Sequence, residues 1–212
     1  MSLLPSVVIA GRSEDTKNYE RALKRLDIPC HTTLHPEAAD QATHLLLPGG
    51  GDITPAFFGQ TDHGSRNVDT ELDVLQFQFL SRFVAQKKPV LGICKGLQII
   101  NVHFGGDITQ HIDTADTHKW TGHDQFHHVW HCNLGRLDFF YQLYGNSTRV
   151  NSAHHQAIDR PGEGLIPVCR AKDNVIEGLC HTSLPVLAVQ WHPERLPDEK
   201  GDSLLSYFFS LR

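Results

Sequence analysis

A chain of 212 residues suits one sizeable α/β domain, and 40% hydrophobic with 20% charged residues is ordinary for a soluble globular protein. A formal charge of −5 with no basic run argues against nucleic acid or an anionic membrane surface as the main partner, and no apolar stretch is long enough to span a bilayer. Five cysteines, odd in number and without a CxxC pair, fit a reducing compartment better than a disulfide framework, so a cytoplasmic protein is expected.

The apolar start lacks a basic leading region and reads as a first strand, residues 7–11, rather than a signal peptide. Residues 16–26 place Tyr19, Ala22, Leu23 and Leu26 at helical spacing behind Asp15. A second extended piece begins over residues 28–31, and residues 43–48 form a buried-type strand that runs into Gly49-Gly50-Gly51-Asp52. This order is the start of a parallel α/β sheet. Residues 52–68, with Pro55, Gly59, Gly64 and Asn67, read as a loop. Leu72, Leu75, Phe79, Leu80 and Phe83 then trace one apolar stripe of a helix over residues 69–86, in which Asp69, Glu71 and Asp73 form an acidic first turn and nothing more.

A short apolar strand over residues 89–93 leads to Cys94, and a helix over residues 96–104 is stopped by Gly105-Gly106. Residues 107–131 are weakly patterned and polar, carrying His111, His118, His123, His127, His128 and His131; residues 126–132 alternate as a strand would. A short helix is expected over residues 134–144, an extended piece over 148–151, strands over 165–171, 175–180 and 186–190, and a closing helix over 204–211. With no internal repeat and no linker-like boundary, residues 1–212 read as a single domain.

Gly92-Ile93-Cys94-Lys95-Gly96 has the spacing of a nucleophile elbow, with sulfur in place of hydroxyl. A strand that turns straight into a helix needs strained backbone and little bulk nearby, which the flanking glycines supply. A thiol at that helix N-terminus is biased toward thiolate by the macrodipole and the unpaired N–H groups. Its base is expected in Gln190-Trp191-His192-Pro193-Glu194, where residues two apart on an extended chain point the same way. Glu194 then holds one imidazole nitrogen of His192 and the other takes the thiol proton, which is triad logic. Two sources of oxyanion donors follow: the N–H of Lys95, and the loop Gly49-Gly50-Gly51, where missing side chains let N–H groups such as those of Gly50 and Gly51 approach a substrate oxygen.

These motifs, together with Val150-Asn151-Ser152-Ala153-His154-His155-Gln156, resemble those of the class I glutamine amidotransferases, in order and over nearly the whole chain. The His154-His155-Gln156 block and Asn101 to Gly106 resemble most closely the stand-alone γ-glutamyl hydrolase branch, whose best-known member is γ-glutamyl-γ-aminobutyrate hydrolase. The resemblance implies a three-layer, flavodoxin-like, mostly parallel sheet with helices on both faces. It implies Cys94 as nucleophile, His192 as base and later acid, and Glu194 as orienter, with Gln98 and Ser152, His154, His155 and Gln156 bordering a glutamyl pocket. The reaction implied is hydrolysis of a small γ-glutamyl amide through a glutamyl thioester, without a cofactor. Lys95 departs from the arginine often found there, and the chain is short for the branch.

The histidines invite a metal reading, since His123 and His127 are four apart, His127 and His131 share a strand face with Val129, and Asp113, Asp116 and Asp124 are near. No complete ligand spacing is present, so no metal is expected, and residues 107–131 read as a loop near the pocket that helps set the leaving amine. Cys30, Cys132, Cys169 and Cys180 read as structural. Two other functions compete: an ammonia-producing subunit that needs a synthase partner, against which the histidine block speaks, and a non-catalytic metabolite- or metal-binding module. A homodimer is common among compact α/β enzymes.

Overall fold

The computed structural model describes residues 4–132, 138–196 and 198–212. The chain runs β1 (Val7–Ala10), α1 (Lys17–Arg25), β2 (Cys30–Thr33), β3 (His44–Leu47), α2 (Thr70–Ala85), β4 (Val90–Ile93), α3 (Lys95–His103), β5 (Asp107–Thr109) and β6 (Gln125–His131). It continues through α4 (Phe139–Tyr144), β7 (Ser147–Ser152), β8 (Ala157–Arg160), β9 (Leu165–Ala171), β10 (Ile176–His181), β11 (Val186–Val189) and α5 (Glu199–Ser210). Part of the expected 134–144 helix lies outside the described residues.

Nine strands form one sheet in the order β2-β1-β3-β4-β11-β10-β9-β6-β7. The first five are mutually parallel, the flavodoxin-like core, and the last four extend it as antiparallel neighbours, so the whole sheet is mixed. The four short central strands are buried along their whole length, as strands covered on both faces must be. Alternation along β1 sends Val7 and Ile9 into a core with Tyr19, Leu23, Trp191 and Phe208, under α1 and α5. Val8 and Ala10 enter the opposite core with Phe79, Leu80, Leu97 and Ile100, under α2 and α3.

Two departures from the sequence reading have physical causes. The buried stripe of α2 begins with Asp73 and Gln76 before it reaches Phe79, Leu80 and Phe83, while Leu72 and Leu75 are only half-buried. These two polar groups are buried because each is bonded: Asp73 to Lys95 and Thr54, and Gln76 Nε2 to the carbonyl of Ala10 at 3.0 Å. The closing helix starts at Glu199, five residues before its apolar stretch, because Asp198 caps it by accepting from the Lys200 N–H. The pair β5 and β8, unread in the sequence, is a separate two-stranded sheet beside α3, held in part by the buried side chain of Asn101, whose Nδ2 reaches the carbonyls of Asp107 and Arg160. Among the described residues, no helix is long and apolar enough to cross a membrane.

Candidate active site

The parallel strands β1, β3, β4 and β11 all end on one edge of the sheet, where open α/β folds build their sites. Cys94 is the residue between β4 and α3, with φ 52° and ψ −105°, a conformation that costs a non-glycine residue strain. Its neighbours make the turn possible by absence. A Cβ on Gly92 would lie 2.6 Å from the backbone of Gly96, and one on Gly96 would collide with the backbone of Leu47. The turn is pinned by the Cys94 N–H donating to the Val189 carbonyl at 2.8 Å, and Gln190 Nε2 donates to the Cys94 sulfur at 3.4 Å.

His192 lies just beyond β11, ahead of the 3₁₀ turn, and its Nδ1 lies 2.9 Å from Glu194 Oε1. The shared side arises differently from the extended-chain expectation. Pro193–Arg195 is a 3₁₀ turn, and this turn, rather than a pleat, folds Glu194 back onto the ring. Both side chains are buried. Burial disfavours the imidazolium, but the Glu194 carboxylate and the Cys94 sulfur, to which His192 also bonds, outweigh it and raise the His192 pKa to about 10.

Gly49 closes the site from the β3 side. Its N–H is occupied, donating to the Tyr19 hydroxyl at 2.8 Å, and a Cβ there would lie 2.8 Å from His192 Cε1 and 3.3 Å from Cys94 Cβ. Gly50 is exposed to the cleft, while Gly51 is glycine because the Asn67 backbone crosses directly over it. None of the three has positive φ, so this loop uses glycine for space. The Lys95 N–H is at the first position of α3, where no intrahelical acceptor exists. The Lys95 side chain turns away into the protein and pairs with Asp73 at 2.6 Å, both fully buried, while Asp73 also accepts from the N–H and hydroxyl of Thr54. Reading Asp73 as a mere first-turn acid is therefore corrected; Asp69 is the residue that caps α2, accepting from the Leu72 N–H and pairing with Arg12.

Two chambers meet at Cys94. The smaller, about 160 Å³, is lined by Gly50, Gly51, Asp52, Arg66, Lys95, Gln98, His154, His155 and Gln156. The larger, about 480 Å³, opens past Gly49 and His192 toward Arg12, Asp15, Asn18, Trp120 and Arg195. Four of the five expected pocket residues thus line the small chamber. Ser152 does not: it is fully buried, with its hydroxyl 3.3 Å from His118 Nδ1. Three residues escaped the sequence reading. Asn151 brackets His192, its Oδ1 accepting from the His192 N–H and its Nδ2 donating to the His192 carbonyl, both at 3.0 Å. Gln190 reaches the sulfur, and Tyr19 holds Gly49. Asn151 sits in a quoted motif, but nothing in sequence marks its contact with a residue 41 positions away.

An α/β sheet of this order with a cysteine elbow beneath a glycine loop defines the class I glutamine amidotransferase-like proteins. Within that class the family model of peptidase C26 matches residues 26–194, and the chain belongs to that family. A Mycobacterium tuberculosis protein whose name places it among the glutamine amidotransferases is 39% identical over 171 residues, 76% of this chain and 53% of that protein. The gamma-glutamyl-CDP-amidate hydrolase of Campylobacter jejuni is 29% identical over 168 residues, 79% of this chain and 70% of that protein. The chain thus spans about half the length of the first of these relatives. In fold it superimposes on a glutamine amidotransferase of Thermotoga maritima with a TM-score of 0.66 at 13% identity, covering 98% of this chain and 83% of that one.

Proposed function

We propose that the protein hydrolyses the γ-glutamyl amide bond of a small γ-glutamyl amine. The Cys94 thiolate attacks the side-chain carbonyl, and the oxyanion is received by the N–H groups of Gly50 and Lys95. The His192 imidazolium gives its proton to the departing amine. Now neutral, it takes a proton from water, which attacks the glutamyl thioester and releases glutamate and the thiolate. Glu194 orients the ring and stabilises its charge.

The observation that carries this reading is the position of Cys94 between two unequal chambers. The small one offers opposite charges for the two ends of an amino acid: the Arg66 cation for the α-carboxylate, and Asp52, which His155 meets at 2.8 Å, for the α-ammonium. Gln98 and Gln156 complete its polar wall. The larger, open chamber takes the amine. The Campylobacter relative, by its name a hydrolase of a γ-glutamyl amidate, supports the same bond type.

The test is a panel of γ-glutamyl amides that differ only in the amine, with glutamine included, assayed on the purified chain and on Cys94→Ala. Turnover of several amines alone, abolished in the variant, is expected. Activity on glutamine alone would favour an ammonia-producing subunit, and turnover surviving in Cys94→Ala would overturn the mechanism.

A further inference from the structure

The histidines that sequence spacing left without a partner set are brought together by the fold from four separate segments. His118 follows the 3₁₀ turn Ala115–Thr117, His127 points inward from β6, His154 follows β7, and Glu177 stands on β10. Glu177 is fully buried, His118 and His154 nearly so, and His127 retains a narrow exposure to solvent. Glu177 Oε1 lies 3.5 Å from His118 Nδ1, 3.2 Å from His127 Nε2 and 3.4 Å from His154 Nε2. Ligand atoms about 2.0–2.1 Å from a tetrahedral zinc stand about 3.4 Å from one another, and one ligand atom each of His118, His127 and Glu177 all lie within 4.8 Å of one another.

The other ring nitrogens settle which atoms face inward. His154 Nδ1 is 2.9 Å from the Gln156 carbonyl, which can only accept, so Nδ1 donates there and Nε2 is the atom turned toward Glu177. His118 Nε2 is 2.9 Å from the Asp173 carboxylate, which leaves Nδ1 bare toward Glu177 and the Ser152 hydroxyl. The Asp173 carboxylate behind His118 is the kind of outer-shell partner that metal sites use to fix ring orientation. Both nitrogens of His127, Nε2 of His154 and both oxygens of Glu177 are buried without a hydrogen-bond partner. A cation placed among these buried, unpartnered atoms satisfies them together.

We infer that His118, His127 and Glu177 form a binding site for a divalent first-row metal of the zinc type, with His154 beside it. Three protein ligands leave one position of a tetrahedral ion for water. The ion ties the 3₁₀ turn, β6 and β10 together behind the segment that carries His154 and Gln156, and so steadies the floor of the small chamber. Glu177 is further linked to the site because its carbonyl accepts from the Gln190 N–H at 2.8 Å.

The experiment uses the full chain carrying Cys94→Ala, so that the reactive thiol cannot bind metal. The protein is stripped with chelator and titrated with cobalt(II) while the visible spectrum is followed, then challenged with zinc. One equivalent of cobalt giving the intense bands of a tetrahedral centre, displaced by zinc, is expected. Asp173→Asn, which leaves all three ligands in place, should weaken cobalt binding by about 10–100-fold, and Glu177→Gln should weaken it further. Absence of a stoichiometric tetrahedral spectrum in the folded chain overturns the site. So does a spectrum that neither substitution alters.

Discussion

At the scale of single residues, the site is governed by what Cys94, His192 and Gly49 impose on one another. Gly49→Ala drives a methyl group toward His192 Cε1, whereas a Cβ on Gly50 meets only Lys95 Cδ at 3.5 Å. A displacement near 1 Å in a reacting geometry costs roughly a hundredfold. Gly49→Ala should therefore lose about that factor in kcat while Gly50→Ala stays near wild type, as steady-state kinetics on one γ-glutamyl amide will read. The raised pKa of His192 sets a second expectation. The proposed acid is the His192 imidazolium, so on the alkaline side kcat/KM should fall as pH rises through about 10. Glu194→Gln removes a charge that raises this pKa, and the alkaline limb should move down by a pH unit or more; an unmoved limb would refute the role given to Glu194. Stability follows the same sign. A folded-state pKa above the ordinary value of 6.5 gives a contribution fully present below that value and lost as pH rises through about 10. Denaturant titrations of wild type should lose stability over that window, and those of Glu194→Gln should lose less.

At the scale of elements, the buried pair Lys95–Asp73 joins the first turn of α3 to the first turn of α2 and, through Thr54, to the chain beyond the glycine loop. Removing one partner of a buried pair strands the other, at a cost of about 3–5 kcal/mol. Lys95→Met should lower stability by that amount in urea unfolding, yet keep kcat per folded molecule, because only the main-chain N–H of Lys95 serves the reaction. The elements themselves were largely legible. The apolar runs before Gly11, Gly49 and Cys94 became β1, β3 and β4, and the elbow spacing located the strained turn. What was hidden is instructive. Asp73 looked like any acidic residue in a first turn, since its partner lies 22 positions on and is lysine for a reason visible only in three dimensions. The β5 and β8 pair is short and antiparallel across some 50 residues, so no local alternation announces it. Glu194 was placed correctly beside His192, but through a 3₁₀ turn that proline permits and that a reading in extended chain does not foresee.

At the scale of the whole molecule, the parallel half of the sheet brings Cys94 and His192, the proposed nucleophile and base, to one edge. The antiparallel half, with the segment preceding it, supplies the wall of histidines and the outer rim. Residues 107–131 were read as a loop that sets amine preference, and one of them, Trp120, does line the larger chamber, half exposed and with Arg195 stacked 5.7 Å from its ring centre. Trp120→Ala should alter the ranking of amines by about tenfold in kcat/KM, the effect of losing one apolar wall contact. Of the remaining residues of that loop, His118 and His127 join the inner cluster, Ile108, Ile112, Ala115 and Val129 join apolar cores, and others lie at the surface, a division that sequence could not make because the cluster is assembled from the turn before β6, β6 itself and β10. The central claim is that Cys94 forms a thioester with a γ-glutamyl group, and acid-quenched turnover followed by mass spectrometry of the intact chain and its peptides tests it most directly. The account predicts a glutamyl adduct on the Cys94 peptide, independent of the amine in the substrate and missing from Cys94→Ala. Steady turnover with an unmodified Cys94, or an adduct whose mass varies with the amine, would contradict it.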